Sequence, residues 1–249
     1  VYFGIKFTGV VDFALEKCVI ENWPDGGAGI NLLGSHWGVV TGCTLRNSVG
    51  RGEMGLQAKG GTADILISGN RFFEAGLKAL SLGGSTGLNA FHPSFQGSET
   101  KNITVEGNLI VGSESAIVFA SSENVIVRFN TIYLPHKWAV RILQDNNQPG
   151  SIPCRNGQFT DNIVVFRSGW TDGGINVGKG TAPETFRFAR NLWYCENRPG
   201  WSQPFLPVPE KDGVYGKDPL FRDPARNDFS LQEGSPATGK GRTAMSTGA

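Results

Sequence analysis

The chain has 249 residues, 39% of them hydrophobic and 18% charged, with 35 glycines and a formal net charge of +1. So balanced a charge supplies no field to hold a nucleic acid. No uninterrupted apolar run approaches the ~18–20 residues of a membrane helix. Many glycines and few strong helix formers indicate a β-rich, turn-rich chain of one domain or two.

From the first residues onward one pattern keeps returning. It opens at Gly4-Ile5-Lys6-Phe7, Gly29-Ile30-Asn31-Leu32, Gly55-Leu56-Gln57-Ala58 and Ala79-Leu80-Ser81-Leu82, then at Ala116-Ile117-Val118-Phe119, Ala139-Val140-Arg141-Ile142 and Gly174-Ile175-Asn176-Val177. Each copy runs on to one anchor: Cys18, Cys43, Asn70, Asn108, Asn130, Asn162 and Asn191. The anchors are separated by 25, 27, 38, 22, 32 and 29 residues. The unit is therefore about 22 residues plus loop insertions, within the range of solenoid repeats. Val1 already lies inside a coil, which reads as a mature form or a fragment that lacks earlier coils or a cap.

Alternation sorts each copy by face. Ile5, Ile30, Leu56, Leu80, Ile117, Val140 and Ile175 form one inward column, and Phe7, Leu32, Ala58, Leu82, Phe119, Ile142 and Val177 a second. Leu15, Val40, Ile67, Val105, Val127, Phe159 and Phe188 make a third, and Ile20, Leu45, Phe72, Ile110, Ile132, Val164 and Trp193 a fourth. Each strand buries these side chains only against copies of itself at the ~4.8 Å strand spacing. The predicted fold is all-β: a single-stranded parallel β-helix of about seven coils, right-handed by the crossover rule. It occupies residues 1–195 of a monomer, with a connector and irregular C-terminal cap over 196–249.

Inward Asn anchors at tight bends can bond the backbone and the equivalent amide one coil away, a structural role. Cys18 and Cys43 share that position and read as small buried residues. The spacing leaves a Cys154–Cys195 disulfide open. With no Cys-x-x-Cys and three dispersed histidines, no metal site is expected.

Outward positions of the first strands form a strip: Lys6, Asn31, Gln57, Ser81, Val118, Arg141 and Asn176. Beside it run Thr8, Leu33, Lys59, Gly83, Ala120, Leu143 and Gly178. Hydrogen-bonding groups at a regular pitch suit a long hydroxyl-rich polymer, although an ordinary solvated sheet face has the same composition. Two insertions, 85–101 with Phe91, His92 and Phe95, and 145–155, should rise on one edge as a wall. At the other edge Trp23, His136, Trp138 and Trp170 offer rings for sugar stacking, or simply cover coil edges. Asp25, Glu53, Glu114 and Asp172 lie near strand entrances, but no pair is expected on adjacent coils facing the strip, as glycoside hydrolysis requires.

The repeated openings and the Asn ladder resemble the right-handed parallel β-helix superfamily of pectate lyases, alginate lyases and chondroitinase B, over roughly residues 3–195. The tail from Asp218-Pro219-Leu220-Phe221 to Gly234-Ser235-Pro236-Ala237 resembles segments that close such helices in secreted bacterial proteins. The stretch Gly55-Leu56-Gln57-Ala58-Lys59 through Asn70-Arg71-Phe72 to Leu82 resembles polysaccharide lyases of family six. That resemblance implies a secreted or periplasmic protein acting on a uronic-acid polysaccharide. Lys59 falls on the family's base lysine, with His92 as a second acid or base candidate and Lys6, Asn31, Gln57, Ser81, Arg141, Asn176 and Trp138 as substrate contacts. Gly83 stands at the family's Arg position and Gln57 at its calcium-binding Glu, so no cofactor is expected, with calcium left open but without a clear ligand set. A uronan C5-epimerase shares the proton abstraction, and a carbohydrate-binding or structural module without chemistry is the competing class.

Overall fold

A computed structural model describes residues 2–169 and 174–242. The chain winds through three parallel sheets, contributing one strand to each sheet per coil. The first sheet orders Phe3–Thr8, Ala28–Leu33, Met54–Lys59, Lys78–Gly83, Ser115–Ala120, Trp138–Leu143 and Ile175–Val177. The second runs from Val11–Glu16 to Arg187–Ala189, and the third from Val19–Glu21 to Leu192–Cys195 and then Val214–Tyr215.

All four inward columns lie in the expected register. Ile5 sits beside Ile30, Val40 beside Ile67, and Val164 beside Trp193. Burying each such side chain contributes about 1.5–3 kcal/mol, so the stacked columns hold successive coils together. Val177 departs from its column at 39% exposure, on the strand that ends the first sheet among the described residues.

At the bend from second to third sheet, every anchor follows a residue with positive φ: Lys17, Gly42, Gly69, Gly107, Phe129, Asp161 and Arg190. The left-handed step turns the chain inward, and the anchor satisfies the groups that the bend would strand. Asn70 Nδ2 donates to Asn108 Oδ1 at 3.0 Å and to the Val40 carbonyl at 2.9 Å. The same pattern links Asn108 to Asn130, Asn130 to Asn162 and Asn162 to Asn191. A second, exposed ladder joins Asp64, Asn102, Asn124 and Asn156, residues with positive φ on the second-sheet side.

All four cysteines are free thiols. Cys154 Sγ lies 3.5 Å from Ser122 Oγ, and Cys195 Sγ donates to Asn197 Oδ1 at 3.3 Å. The disulfide that the spacing left open is not formed. Cys43 is fully buried but Cys18 only partly, since no coil precedes it among the described residues. Burial pushes the Cys43 and Cys154 thiols above their ordinary pKa.

Beyond the last coil, Leu206, Val208 and Tyr215 pack onto the end of the core. The antiparallel pair Phe221–Asp223 and Asp228–Leu231 then turns back along the third sheet. Phe221, Phe229 and Ala237 cover Leu109, Ile163, Val165 and Leu192, which explains why third-sheet strands of coils four, six and seven carry apolar side chains on both faces.

Candidate functional site

The outer face of the first sheet carries a groove of about 320 Å³. Its walls come from coils one to four and from the insertion that follows the first-sheet strand of coil six: Phe3 and Met54, Glu53 and Asp145, Lys59 and Lys78, with Gln57 in the floor. The strip has the predicted register, Lys6 beside Asn31, then Gln57 and Ser81, then Val118, Arg141 and Asn176. Its middle is covered rather than solvated: Asn31, Gln57 and Ser81 are 1%, 4% and 1% exposed. Their polar groups pair with one another and with the backbone. Asn31 Nδ2 donates to Gln57 Oε1 at 3.0 Å, and Ser81 Oγ donates to the Gly83 carbonyl at 3.3 Å.

Lys59 is half-buried at the C-terminal end of its strand, where its side chain runs against Gly84. It makes no ion pair among the described residues. Gly83 has φ +115°, and a Cβ there would collide with the Ala120 carbonyl oxygen. The chain leaves the sheet at this point to start the insertion, so no side chain fits at the lyase-family arginine position.

His92 does not join Lys59. Its N–H donates to the Gly60 carbonyl at 3.0 Å, and its ring lies over Gly9 of coil one. Lys59 runs instead towards coil four. Gly34, at φ +58°, leaves the space in which the His92 Cβ and carbonyl dock. The first insertion therefore folds over the turns of coils one to three instead of standing as a free wall.

A buried carboxylate fixes that arrangement. Glu99 accepts from the N–H of Gly60 at 2.9 Å, from the N–H and hydroxyl of Thr86 at 2.6 and 2.7 Å, and from Asn146 Nδ2 at 2.5 Å. Ile152 N donates to the Gly97 carbonyl, so the two insertions do meet on one edge. Ser85 and Asp145, one from each, border the groove.

The coil-six residues lie apart. Trp138 is flanked by Arg141 at 4.0 Å and Lys137 at 4.1 Å from its ring centre, and Arg141 Nε donates to Asn176 Oδ1 at 3.1 Å. Burial pushes the Arg141 guanidinium below its ordinary pKa, with Glu114 and Asp145 pulling the other way. Lys6 is exposed, its ammonium 5.2 Å from the centre of the Phe3 ring. Trp23 is core, at 4% exposure, and His136 pairs with Glu74 at 3.0 Å beside the third-sheet residues Val111 and Tyr133. Asp25 is held by Arg51 and the Gly52 N–H. Trp170 and Asp172 lie outside the described residues.

Strict alternation misses Phe3, Met54 and Lys78 in the groove, whereas Glu53, just before its strand, shares the outward parity of Gln57. Gly29 and Gly55 face the core, yet so do Ile30 and Leu56 directly after them. Two successive inward positions shift the parity, so residues upstream of the glycine emerge on the outer face. The repeated small residue was the available signal, because a position pressed against Leu45 or Ala75 tolerates no larger side chain. In the sequence Asp145 marks only the start of an insertion. Among the described residues no group of three or more His, Cys, Asp or Glu side chains is placed to hold a metal ion.

A family model described as right handed beta helix region matches residues 2–133, more than half of the chain. No curated protein and no solved structure matches it. The matched stretch takes in the first five first-sheet strands, the groove floor and most of the Asn ladder. With three parallel sheets continuing the same winding to residue 215, the chain belongs to the right-handed β-helix family.

Proposed function

We propose that the first-sheet groove binds an acidic, uronate-containing polysaccharide and that Lys59 cleaves it by β-elimination. The observation behind this reading is that Lys59 and Lys78, on adjacent coils, line one groove. Lys59, as the free amine, removes the C5 proton beside the uronate carboxylate. The electron pair forms the C4–C5 double bond as the C4–O bond breaks, and the departing oxygen takes a proton from water. Lys78 pairs with the carboxylate, where negative charge builds as the proton leaves. Gln57 forms the floor under the sugar and Met54 part of the wall beside it. A secreted or periplasmic location accords with such a substrate.

Incubation with pectate, alginate and chondroitin, followed through the ultraviolet absorbance of unsaturated uronate, tests the reaction. Product should accumulate on at least one polymer and vanish in Lys59→Ala. Absence of signal on all three, with and without calcium, rejects elimination. C5-epimerisation would show instead as inverted uronate without chain cleavage. The position of His92, turned away from Lys59, favours a second reading: a binding module that retards a polymer in an affinity gel and releases no product.

A further inference from the structure

The outer face of the third sheet changes character along the solenoid. In coils four to seven the tail covers it, whereas in coils two and three it presents Thr44, Arg46 and Arg71 beside Phe73, which packs at the edge of the covered cluster. There a cleft of about 470 Å³ lies between Thr44, Arg46, Arg71 and Phe73 of the sheet and Arg226 and Asn227 of the tail. Leu45 and Phe72 point inward, so Arg46 and Arg71 point out. Thr44 is the register partner of Arg71. The two arginine Cα atoms are thus roughly 8 Å apart, one strand spacing across and two residues along. A neighbouring cleft of about 180 Å³ shares Arg71 and Asn227 and adds Arg242.

The positive charge here is incompletely neutralised. Arg46 pairs with Glu21 at 3.3 Å and Arg226 with Asp223 at 3.6 Å, both with largely exposed guanidinium groups. Exposed pairs of this kind hold weakly and exchange readily. Arg71 and Arg242 make no ion pair among the described residues. Asp228 borders the smaller cleft, but its Oδ1 accepts from the N–H and hydroxyl of Ser230 at 3.0 and 2.5 Å. Burial, and then the charge of Arg71, hold the Arg242 guanidinium below its ordinary pKa.

We infer that this cleft binds a tetrahedral oxyanion ester, a sulfate or phosphate group carried on a sugar. A carboxylate offers two coplanar oxygens and is saturated by one guanidinium fork. A tetrahedral ester has three outer oxygens and can accept from forks arriving from both sheet and tail. Phe73 supplies ring surface for a sugar face, and Thr44 and Asn227 supply neutral partners for hydroxyls. The site lies on a different sheet from the uronate groove and does not depend on it.

Calorimetric titration of the whole chain with a sulfated disaccharide, a sugar phosphate and the unesterified parent sugars tests the inference. At least one ester should bind at least tenfold more tightly than its parent, and the tighter arm identifies the source of the anion. Arg71→Ala combined with Arg226→Ala should weaken that binding by roughly tenfold or more, with circular dichroism unchanged because both residues are exposed. Arg71→Lys should restore only part of it, since an ammonium lacks the fork. Equal binding of esters and parents, or undiminished binding in the double variant, overturns the site. So does a loss in Lys59→Ala as large as that in Arg71→Ala, which would put the anion in the first-sheet groove.

Discussion

Asn191 Nδ2 donates to Glu210 Oε1 at 2.7 Å, so a ladder of neutral amides ends on a carboxylate. Each earlier Asn finds its acceptor on the next coil, and beyond coil seven no ladder Asn follows among the described residues. Glu210 takes that place, also accepting from the Asn191 backbone N–H, from Trp193 Nε1 and from the Tyr215 hydroxyl.

Replacing Glu210 with Ala strands these donors beside the fully buried Asn191 and Trp193. The expected loss is about 2–4 kcal/mol, the cost of several unsatisfied groups less what water recovers. Urea denaturation measures it. Glu210→Gln keeps one acceptor oxygen and should retain about half of the stability difference. A loss below about 0.5 kcal/mol in the alanine variant would mean that the ladder's end is already solvated.

Alkaline pH should loosen the same corner. Burial, and then the hydrogen bond to Glu210, raise the Tyr215 phenol well above its ordinary pKa. An unfolded tyrosine ionises near pH ~10, whereas the folded one stays protonated. The contribution is therefore whole below about pH 10 and lost as pH rises beyond it. Denaturation midpoints between pH 8 and 11 should fall at the upper end, and Tyr215→Phe should flatten that fall. Some slope should remain in the variant, because burial also raises Tyr133 and Tyr194. Equal slopes in the two proteins would dissociate Tyr215 from the effect.

The inward columns and ladder were legible in the sequence because each position recurs in every coil and each copy constrains the next. Ile30 and Leu56 could be aligned without knowing any contact between them. The groove was only partly legible. Its floor residue Gln57 and its Lys59 sit on the repeat, but Lys78 and Met54 emerge through a parity shift that alternation does not encode. Glu99, Glu210 and the docking of His92 have no repeat partners at all. Their roles depend on where insertions and tail come to rest, and those contacts join residues 39, 19 and 32 positions apart.

Glu99 should prove the most sensitive position outside the columns. Its two oxygens serve four donors from three separate segments while fully buried. Glu99→Ala should cost about 3 kcal/mol or more, and limited proteolysis should then cut within 85–98 under conditions that leave the parent intact. Because Ser85 and Asp145 border the groove, polymer affinity should fall too. A variant with native protease resistance would show that packing of Phe91 against Phe95, 4.8 Å apart, holds the loop without the carboxylate.

Trp138 and Arg141 should report on ligand length rather than on chemistry. They lie two coils beyond Lys78, outside the groove walls, stacked at 4.0 Å and tied to Asn176. A short uronate that fills the groove alone cannot reach them. One that spans coils one to six, about 24 Å at the strand spacing, should lie across the Trp138 ring and the partly desolvated guanidinium. Trp138→Ala should therefore leave disaccharide binding unchanged within twofold but weaken binding of a long oligomer by roughly five- to tenfold, the scale of one stacking or cation–π contact. Titrating both ligands into both proteins checks this. An equal loss for short and long ligands would mean that Trp138 acts through stability of the first sheet, and no loss for either would mean that the polymer leaves the strip before coil six.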